Sequence, residues 1–226
     1  MADQVPLSIH EPTGSPKGGL VVVQEAFGVN PHIEDVTRRF AAEGWLAVSP
    51  HLFHRTGDPQ LGYEDFSQVM PHMAALSADE ILTDLDVALA HLQAAGIDTA
   101  RTGVVGFCMG GTVALVAAAR RDIGAAVSFY GGGVSKARFG FDPLVEEATR
   151  LQAPWLGLYG DLDAGIPVEE VEALRAAAAS SGCPTELVRY PDAEHGFHCD
   201  VRASYQADAA ADAWARTLAW FEEHLT

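Results

Sequence analysis

The chain is poor in cysteine and in basic residues. It has three cysteines among 226 residues, an odd number that is too small for a disulfide framework. Lysine and arginine total 14 against 31 aspartate and glutamate residues, so the formal net charge is −17. A charge of that sign argues against nucleic acid or an anionic membrane surface as a partner. We expect reduced thiols and a small-molecule substrate.

The sequence also lacks long apolar runs and the usual ligand-binding signatures. No stretch approaches the length needed to cross a bilayer, and the first residues lack the basic and apolar regions of a signal peptide, so we expect a cytoplasmic protein. The glycine run 131–133 fits no phosphate-binding pattern and predicts a flexible turn. No Cys-x-x-Cys pair is present. We therefore expect neither a cofactor nor a metal.

Apolar β-branched runs alternate with amphipathic helical segments along the whole chain. The predicted strands cover 19–24, 45–49, 104–105, 124–130, 154–159 and 186–190, and the predicted helices cover 31–43, 78–95, 112–120, 168–180 and 205–224. This alternation predicts a single α/β domain over residues 1–226, with a mostly parallel, doubly wound sheet. Segments 51–77 and 134–150 are predicted to cover a site. The closing helix and the acidic surface favour a monomer over a dimer.

The segment 101–112 carries the strongest functional signal. A short apolar run ends in Gly106-Phe107-Cys108-Met109-Gly110, and an alanine-rich helical segment follows at once. This is the strand–elbow–helix pattern of an α/β-hydrolase, with cysteine at the position of the nucleophile. The tight turn requires small residues two positions to either side, and a helix N-terminus favours a thiolate. The pattern predicts that Cys108 is a nucleophile.

Acidic and histidine residues follow later predicted strands. Asp161 and Asp163 follow the strand 154–159, and His195 follows the last strand. The order nucleophile, acid, histidine is that of an α/β-hydrolase. Histidine would activate the thiol, and a carboxylate would orient the imidazole. The spacing alone leaves both aspartates open as the orienting acid.

The predicted reaction also needs donors for an oxyanion. A thiolate that attacks an acyl carbonyl forms an acyl-cysteine, which water then hydrolyses. By the geometry of the elbow, one donor is the backbone N–H of Met109, and the second comes from the loop after the early strand, at Ala26. The aromatic side chains of Phe27 and Phe197 are candidates for lining the substrate pocket.

Four motifs together resemble the dienelactone hydrolase family over nearly the whole chain. They are the early segment 24–30, the elbow 106–111, the acid loop 160–167 and the histidine loop 193–197. The resemblance implies an α/β-hydrolase that cleaves small esters or lactones. It selects Asp163 as the acid, because the family's acid lies four residues before the loop proline. It also implies that Glu25 gates the thiol and takes its proton once substrate is bound.

The chain departs from the family at the residues that hold a substrate carboxylate. Members that act on dienelactone carry an arginine four residues after the catalytic histidine, where this chain has Cys199. Arg202 lies three residues further on, and segment 51–77 offers only Arg55. Without bidentate arginine contacts a carboxylate is poorly oriented. A neutral ester or lactone is therefore at least as good a substrate candidate as dienelactone.

Other interpretations of the same residues remain open. Cys108 would also suit a packed turn, and Glu25 a simple loop or capping acid. The run 195–200 is dense in possible metal ligands, but His195 is already assigned to the triad. A different class of function is a non-catalytic or redox-responsive thiol protein on the hydrolase fold, since an accessible thiol of low pKa is easily oxidised.

Overall fold

The computed structural model describes residues 5–225, so residues 1–4 and 226 of the predicted domain lie outside the described residues. Seven strands form one sheet: β1 (Leu7–His10), β2 (Gly19–Val23), β3 (Leu46–Pro50), β4 (Thr102–Phe107), β5 (Ala125–Phe129), β6 (Trp155–Gly160) and β7 (Thr185–Tyr190). Their order is β1-β3-β2-β4-β5-β6-β7, and every pair is parallel except β1 with β3. The predicted mostly parallel α/β sheet is confirmed. The short antiparallel edge strand β1 was not predicted.

Helices cover both faces of the sheet. They are α1 (Pro31–Ala42), α2 (Met70–Ala74), α3 (Ala78–Ala94), α4 (Met109–Arg120), α5 (Leu144–Glu147), α6 (Val168–Ala179) and α7 (Ala207–His224). Helices α3, α4 and α6 pack in one apolar cluster, and α1 and α7 pack in a second on the opposite face. Because both faces are covered, β2 and β4 are buried along their full length.

The two segments predicted to cover a site contain short helical pieces. Segment 51–77 includes α2, and segment 134–150 includes α5. The first segment returns to the end of β2, where the N–H of Leu61 donates to the carbonyl of Phe27 at 2.9 Å and the Tyr63 ring lies 4.5 Å from the Phe27 ring. It therefore lies beside the carboxyl ends of the strands, where ligand sites form in such sheets.

No helix within residues 5–225 is both long enough and apolar enough to cross a membrane.

Two glycines allow the β4–α4 turn to approach its neighbours. A Cβ on Gly106 would lie 1.9 Å from the carbonyl oxygen of Gly110, and a Cβ on Gly110 would lie 2.3 Å from that of Val23. Both contacts are far shorter than van der Waals distance, and both involve backbone that cannot rotate away. The first residues of α4 therefore abut the end of β2 only because both positions lack a side chain.

This close approach generates a stability prediction. Gly106→Ala should lower the free energy of unfolding by about 3 kcal/mol or more, because the added methyl overpacks a rigid turn. Gly62→Ala is the matched control, because its new Cβ would meet only the flexible Glu64 carboxylate. Denaturant titration of both variants measures the difference. Equal stability of the two variants would contradict the prediction.

Candidate active site

Cys108 lies at the turn between β4 and α4. Its backbone has φ 54° and ψ −112°, a left-handed conformation that is strained for a residue with a side chain. Its N–H donates to the Phe129 carbonyl at 3.0 Å, which ties the turn to the neighbouring strand. The thiol is partly accessible and lies next to the N-terminus of α4. This is the conformation that the elbow pattern predicts, and the helix dipole there favours a thiolate.

His195 and Asp163 form a close pair beside this turn. The Nδ1 of His195 lies 2.6 Å from Oδ2 of Asp163, whose other oxygen accepts the N–H of Gly165 at 2.8 Å. Asp163 is buried, and these two contacts fix the orientation of its carboxylate. Asp161 instead makes a bidentate ion pair with Arg189, at 2.6 and 2.7 Å. The geometry thus orients His195 through Asp163, not Asp161.

The thiol and the imidazole shift each other's pKa. Burial raises the pKa of Cys108, but the charge and hydrogen bond of His195 lower it more, with a smaller contribution from Arg138. Burial lowers the pKa of His195, whereas the charge of Cys108 and the hydrogen bond to Asp163 raise it above its usual range. Both directions favour a thiolate–imidazolium pair, the reactive form of a catalytic cysteine.

Glu25 is fully buried at the end of β2. The hydroxyls of Tyr63 and Tyr130 donate to its two oxygens at 3.3 and 3.4 Å, and Nη1 of Arg202 lies 3.6 Å from Oε1. Burial, and after it the charge of Glu25, raises the pKa of both tyrosines, so both hydroxyls keep the proton that they donate. The same carboxylate raises the pKa of Cys108. Its charge therefore partly offsets the lowering of the Cys108 pKa by His195, which remains the larger effect.

The backbone N–H groups of Ala26 and Met109 are the predicted oxyanion donors. Both residues are buried, and within the described chain neither N–H donates a hydrogen bond inside the protein. The two segments are adjacent, because the start of α4 abuts the carbonyls of Val23 and Gln24. Unpaired buried N–H groups are rare and suit a developing negative charge on a ligand.

A cavity of about 450 Å³ opens over Cys108. The lining is partly polar and partly apolar. Its polar and charged residues include Cys108, Asp163, His195, Arg138 and Arg202. Its apolar residues include Phe27, Phe66, Leu162 and Ile166. The structure thus brings Phe27 and Arg202, two of the candidate substrate-binding residues, to the cavity. A volume of this size suits a small substrate.

Two of the predicted substrate-binding residues are not at the cavity. Arg55 donates to both oxygens of the fully buried Asp84, each at 2.7 Å. This ion pair compensates the free-energy cost of burying the Asp84 charge. Phe197 is completely buried and packs against Tyr130 and Tyr190, at ring distances of 5.3 and 5.1 Å. The expectation that these two side chains contact substrate is corrected: Arg55 anchors segment 51–77, and Phe197 belongs to the core.

Arg138 is a cavity residue that the sequence argument missed. Its guanidinium carbon lies 5.0 Å from the centre of the Phe139 ring, and its charge lowers the pKa of Cys108. Among residues 5–225, no carboxylate lies within 4.0 Å of it. The sequence signal was its place in segment 134–150, which was predicted to cover the site. Its direction toward the cavity depends on a loop conformation that no motif specifies.

Comparison with known proteins agrees with the fold and identifies the family. The model of the "Dienelactone hydrolase family" matches residues 6–225. The chain belongs to the dienelactone hydrolase family. A Yersinia pestis relative described as "Putative carboxymethylenebutenolidase" is 40% identical, over 98% of this chain and 85% of the relative. A relative with the same description from Escherichia coli O157:H7 is 42% identical, over 91% of this chain and 76% of the relative.

A solved structure supports the same membership. A Klebsiella pneumoniae protein, described as "Putative Dienelactone Hydrolase", superimposes with a TM-score of 0.89 and 38% identity, over 97% of this chain and 93% of that one. The resemblance inferred from four motifs is therefore confirmed. The α/β-hydrolase fold of the dienelactone hydrolase family is confirmed with it.

The thiol–imidazole pair generates a prediction about reactivity. In His195→Ala, burial and Glu25 still raise the pKa of Cys108 while the lowering charge is gone. The pH of half-maximal alkylation by iodoacetamide should therefore rise by about 1–3 units. The alkylation rate is followed in a Cys183→Ala background, because Cys183 is partly exposed and would also react. Cys199 is buried and can stay. An unchanged profile would show that His195 does not interact with the thiol.

Proposed function

We propose that this protein hydrolyses small carboxylic esters or lactones through a triad of Cys108, His195 and Asp163. The observation that carries the proposal is the 2.6 Å contact between His195 and Asp163 beside a cysteine on a strained elbow. Membership of the dienelactone hydrolase family supports the same reaction class. The accessible thiol supplies the nucleophile, and the unpaired N–H groups of Ala26 and Met109 supply the donors for the oxyanion.

The reaction proceeds in two halves. The Cys108 thiolate attacks the acyl carbon, and the carbonyl oxygen becomes an oxyanion that accepts from the N–H groups of Ala26 and Met109. Collapse breaks the ester C–O bond, and the imidazolium of His195 gives its proton to the departing oxygen. Water then attacks the acyl-cysteine while His195 takes its proton, and the thiolate leaves as the acid is released. Asp163 holds the imidazole orientation throughout.

Glu25 acts as a gate for the thiol. Its buried charge raises the pKa of Cys108 in the free protein, which protects the thiol from unproductive reactions. The hydroxyls of Tyr63 and Tyr130 and the guanidinium of Arg202 hold it in place. Since Arg202 also lines the cavity, a bound substrate that draws on Arg202 would release Glu25. Glu25 would then accept the proton of any Cys108 that is still a thiol beside the His195 imidazolium, which leaves the thiolate–imidazolium pair that starts the reaction.

The two cavity arginines favour a substrate that carries a carboxylate. Arg138 and Arg202 both face the space above Cys108, so each offers charge-assisted hydrogen bonds to an anion there. The relatives described as carboxymethylenebutenolidases point the same way, since that lactone carries a carboxylate. The missing arginine at Cys199 therefore does not leave the cavity without cationic groups. We propose a carboxylate-bearing lactone or ester in place of a neutral one.

The triad is tested with a matched pair of aspartate variants. Cys108→Ala should lower kcat by about 10⁴-fold or more, and Asp163→Asn by about 10³-fold to 10⁴-fold, because the imidazole loses its orientation. Asp161→Asn should leave kcat unchanged, since that carboxylate pairs with Arg189. Steady-state hydrolysis of an aryl acetate and a lactone measures all three. Equal losses in the two aspartate variants would refute the assignment of Asp163.

The same assay separates hydrolysis from thiol signalling. Turnover that disappears with Cys108→Ala and survives Cys199→Ala supports the hydrolase. A wild-type protein with no turnover on any ester or lactone, but with a Cys108 that alkylates and oxidises reversibly, would instead favour the redox-responsive thiol protein.

Substrate charge is tested at Arg138. Arg138→Gln should lower kcat/KM for a carboxylate-bearing dienelactone by about 10-fold to 100-fold, the loss expected for one hydrogen bond to a charged group. Hydrolysis of a neutral aryl acetate by the same variant should fall much less, because only the small contribution of Arg138 to the pKa of Cys108 is lost. Arg150→Gln is the control, because Arg150 is exposed and pairs with Asp142 on the surface. A parallel loss on both substrates would contradict a role in binding the anion.

A further inference from the structure

Three possible metal ligands from distant parts of the chain meet in the interior. Glu25 follows β2, His32 lies in the first turn of α1, and Cys199 follows the histidine loop. A carboxylate oxygen, a ring nitrogen and the sulfur of these residues all lie within 4.8 Å of one another. We propose that this Glu25–His32–Cys199 cluster binds a thiophilic divalent cation such as Zn²⁺, and that the ion inhibits hydrolysis by holding Glu25.

His32 is the observation that points to a ligand. Its side chain is 4% exposed, and its Nε2 is buried without a hydrogen-bond partner in the described chain. An orphaned polar atom in the interior is costly and rare unless something satisfies it. Burial lowers the pKa of His32 despite the nearby Glu25 charge, so the ring is neutral, the form that coordinates metals.

Asp200 lies on the side of His32 where a carboxylate is common around metal-bound histidines. Its Oδ1 lies 4.0 Å from Nδ1 of His32, the nitrogen opposite the orphaned one. Histidine ligands usually donate their second N–H to a carboxylate, which fixes the ring and makes it a better ligand. A small closure would bring Asp200 into that role. A second-shell carboxylate is therefore within reach of the cluster but is not hydrogen-bonded to His32 in this structure.

The charges of the cluster suit one divalent ion. The Glu25 carboxylate and a Cys199 thiolate together neutralise the two positive charges of the ion, and Arg202 remains a separate cation at the wall of the cavity. Burial raises the pKa of Cys199 to about 11, so the free protein holds a thiol there. Binding then replaces the S–H bond by a sulfur–metal bond and releases one proton to solvent. Arg202, 3.6 Å from Glu25, opposes the cation and makes both anionic ligands necessary.

The donor set selects the kind of ion. One thiolate, one imidazole and one carboxylate match the borderline-soft Zn²⁺ and leave a fourth position for water. Donor atoms around tetrahedral Zn²⁺ lie about 3.5 Å apart, so binding draws the three side chains together by about 1 Å. Hard cations such as Mg²⁺, which require oxygen ligands, should not compete.

The consequence for activity rests on the proposed function, whereas the binding site itself does not. Glu25 is the residue that gates the Cys108 thiol in that proposal. A carboxylate coordinated to Zn²⁺ can neither move toward Cys108 nor accept its proton. The ion therefore closes the gate without occupying the substrate cavity.

Cobalt(II), a coloured substitute for Zn²⁺, tests the site on the intact protein. Stoichiometric Co²⁺ should produce a sulfur-to-cobalt charge-transfer band and release one proton per ion. Cys199→Ser should abolish both, while Cys108→Ser and Cys183→Ser should keep them. His32→Gln leaves the thiol in place and should weaken Co²⁺ binding at least about 10-fold, and Asp200→Asn should weaken it about 10-fold to 100-fold. Circular dichroism checks that each variant folds.

Zn²⁺ inhibition is measured beside cobalt binding. Stoichiometric Zn²⁺ should inhibit the wild type and not Cys199→Ser, whose hydrolysis in the absence of Zn²⁺ should match the wild type. No cobalt band in the wild type, or a band lost only in Cys108→Ser, would overturn the site. Inhibition that persists in Cys199→Ser would overturn the gating mechanism. A protein that hydrolyses nothing would contradict the proposed function, while the cobalt band would still decide the cation site.

Discussion

The close approach of the β4–α4 turn to the end of β2 is the constraint on which the site depends. Gly106 and Gly110 allow backbone to pack directly against backbone there, with no room for a Cβ at either position. That contact sets the strained conformation of Cys108 and brings the unpaired N–H of Met109 toward the one at Ala26. A packed sheet with helices on both faces holds the strain, which an isolated turn would release.

Glu25 connects the separate parts of the site electrostatically. It is a fully buried carboxylate with two tyrosine hydroxyls and one guanidinium around it. Its charge acts on the thiol of Cys108 on one side and on the imidazole of His32 on the other. Because an interior has a low dielectric, a charge there influences several neighbours at once. The nucleophile and the proposed cation cluster are thus coupled through one side chain.

Sequence reasoning located the parts of the fold and site that depend on local chemistry. The elbow around Cys108 and the acid and histidine loops are short patterns with steric and chemical reasons, so motifs identify them. Core strands are continuous apolar runs, whereas β1 has three partly buried residues and one exposed residue and pairs only at an edge. The positions of Arg138 at the cavity and of His32 in the cluster could not be predicted from the sequence. Both depend on loop conformation and on contacts with residues distant in the chain. Arg55 was misassigned since its partner, Asp84, lies on a different helix.

Segment 51–77 is anchored near both of its ends, and Phe66, which lines the cavity, lies between the two anchors. The ion pair of Arg55 with buried Asp84 holds one end, and the buried side chains of Val69 and Met73 hold the other. Between them, Phe66 lines the cavity and is half exposed. Changes confined to the exposed residues around Phe66 would leave both anchors, and the contact of Tyr63 with Glu25, untouched. The loop is thus a place where substrate range can diverge among relatives, or be exchanged by grafting, at little cost to folding.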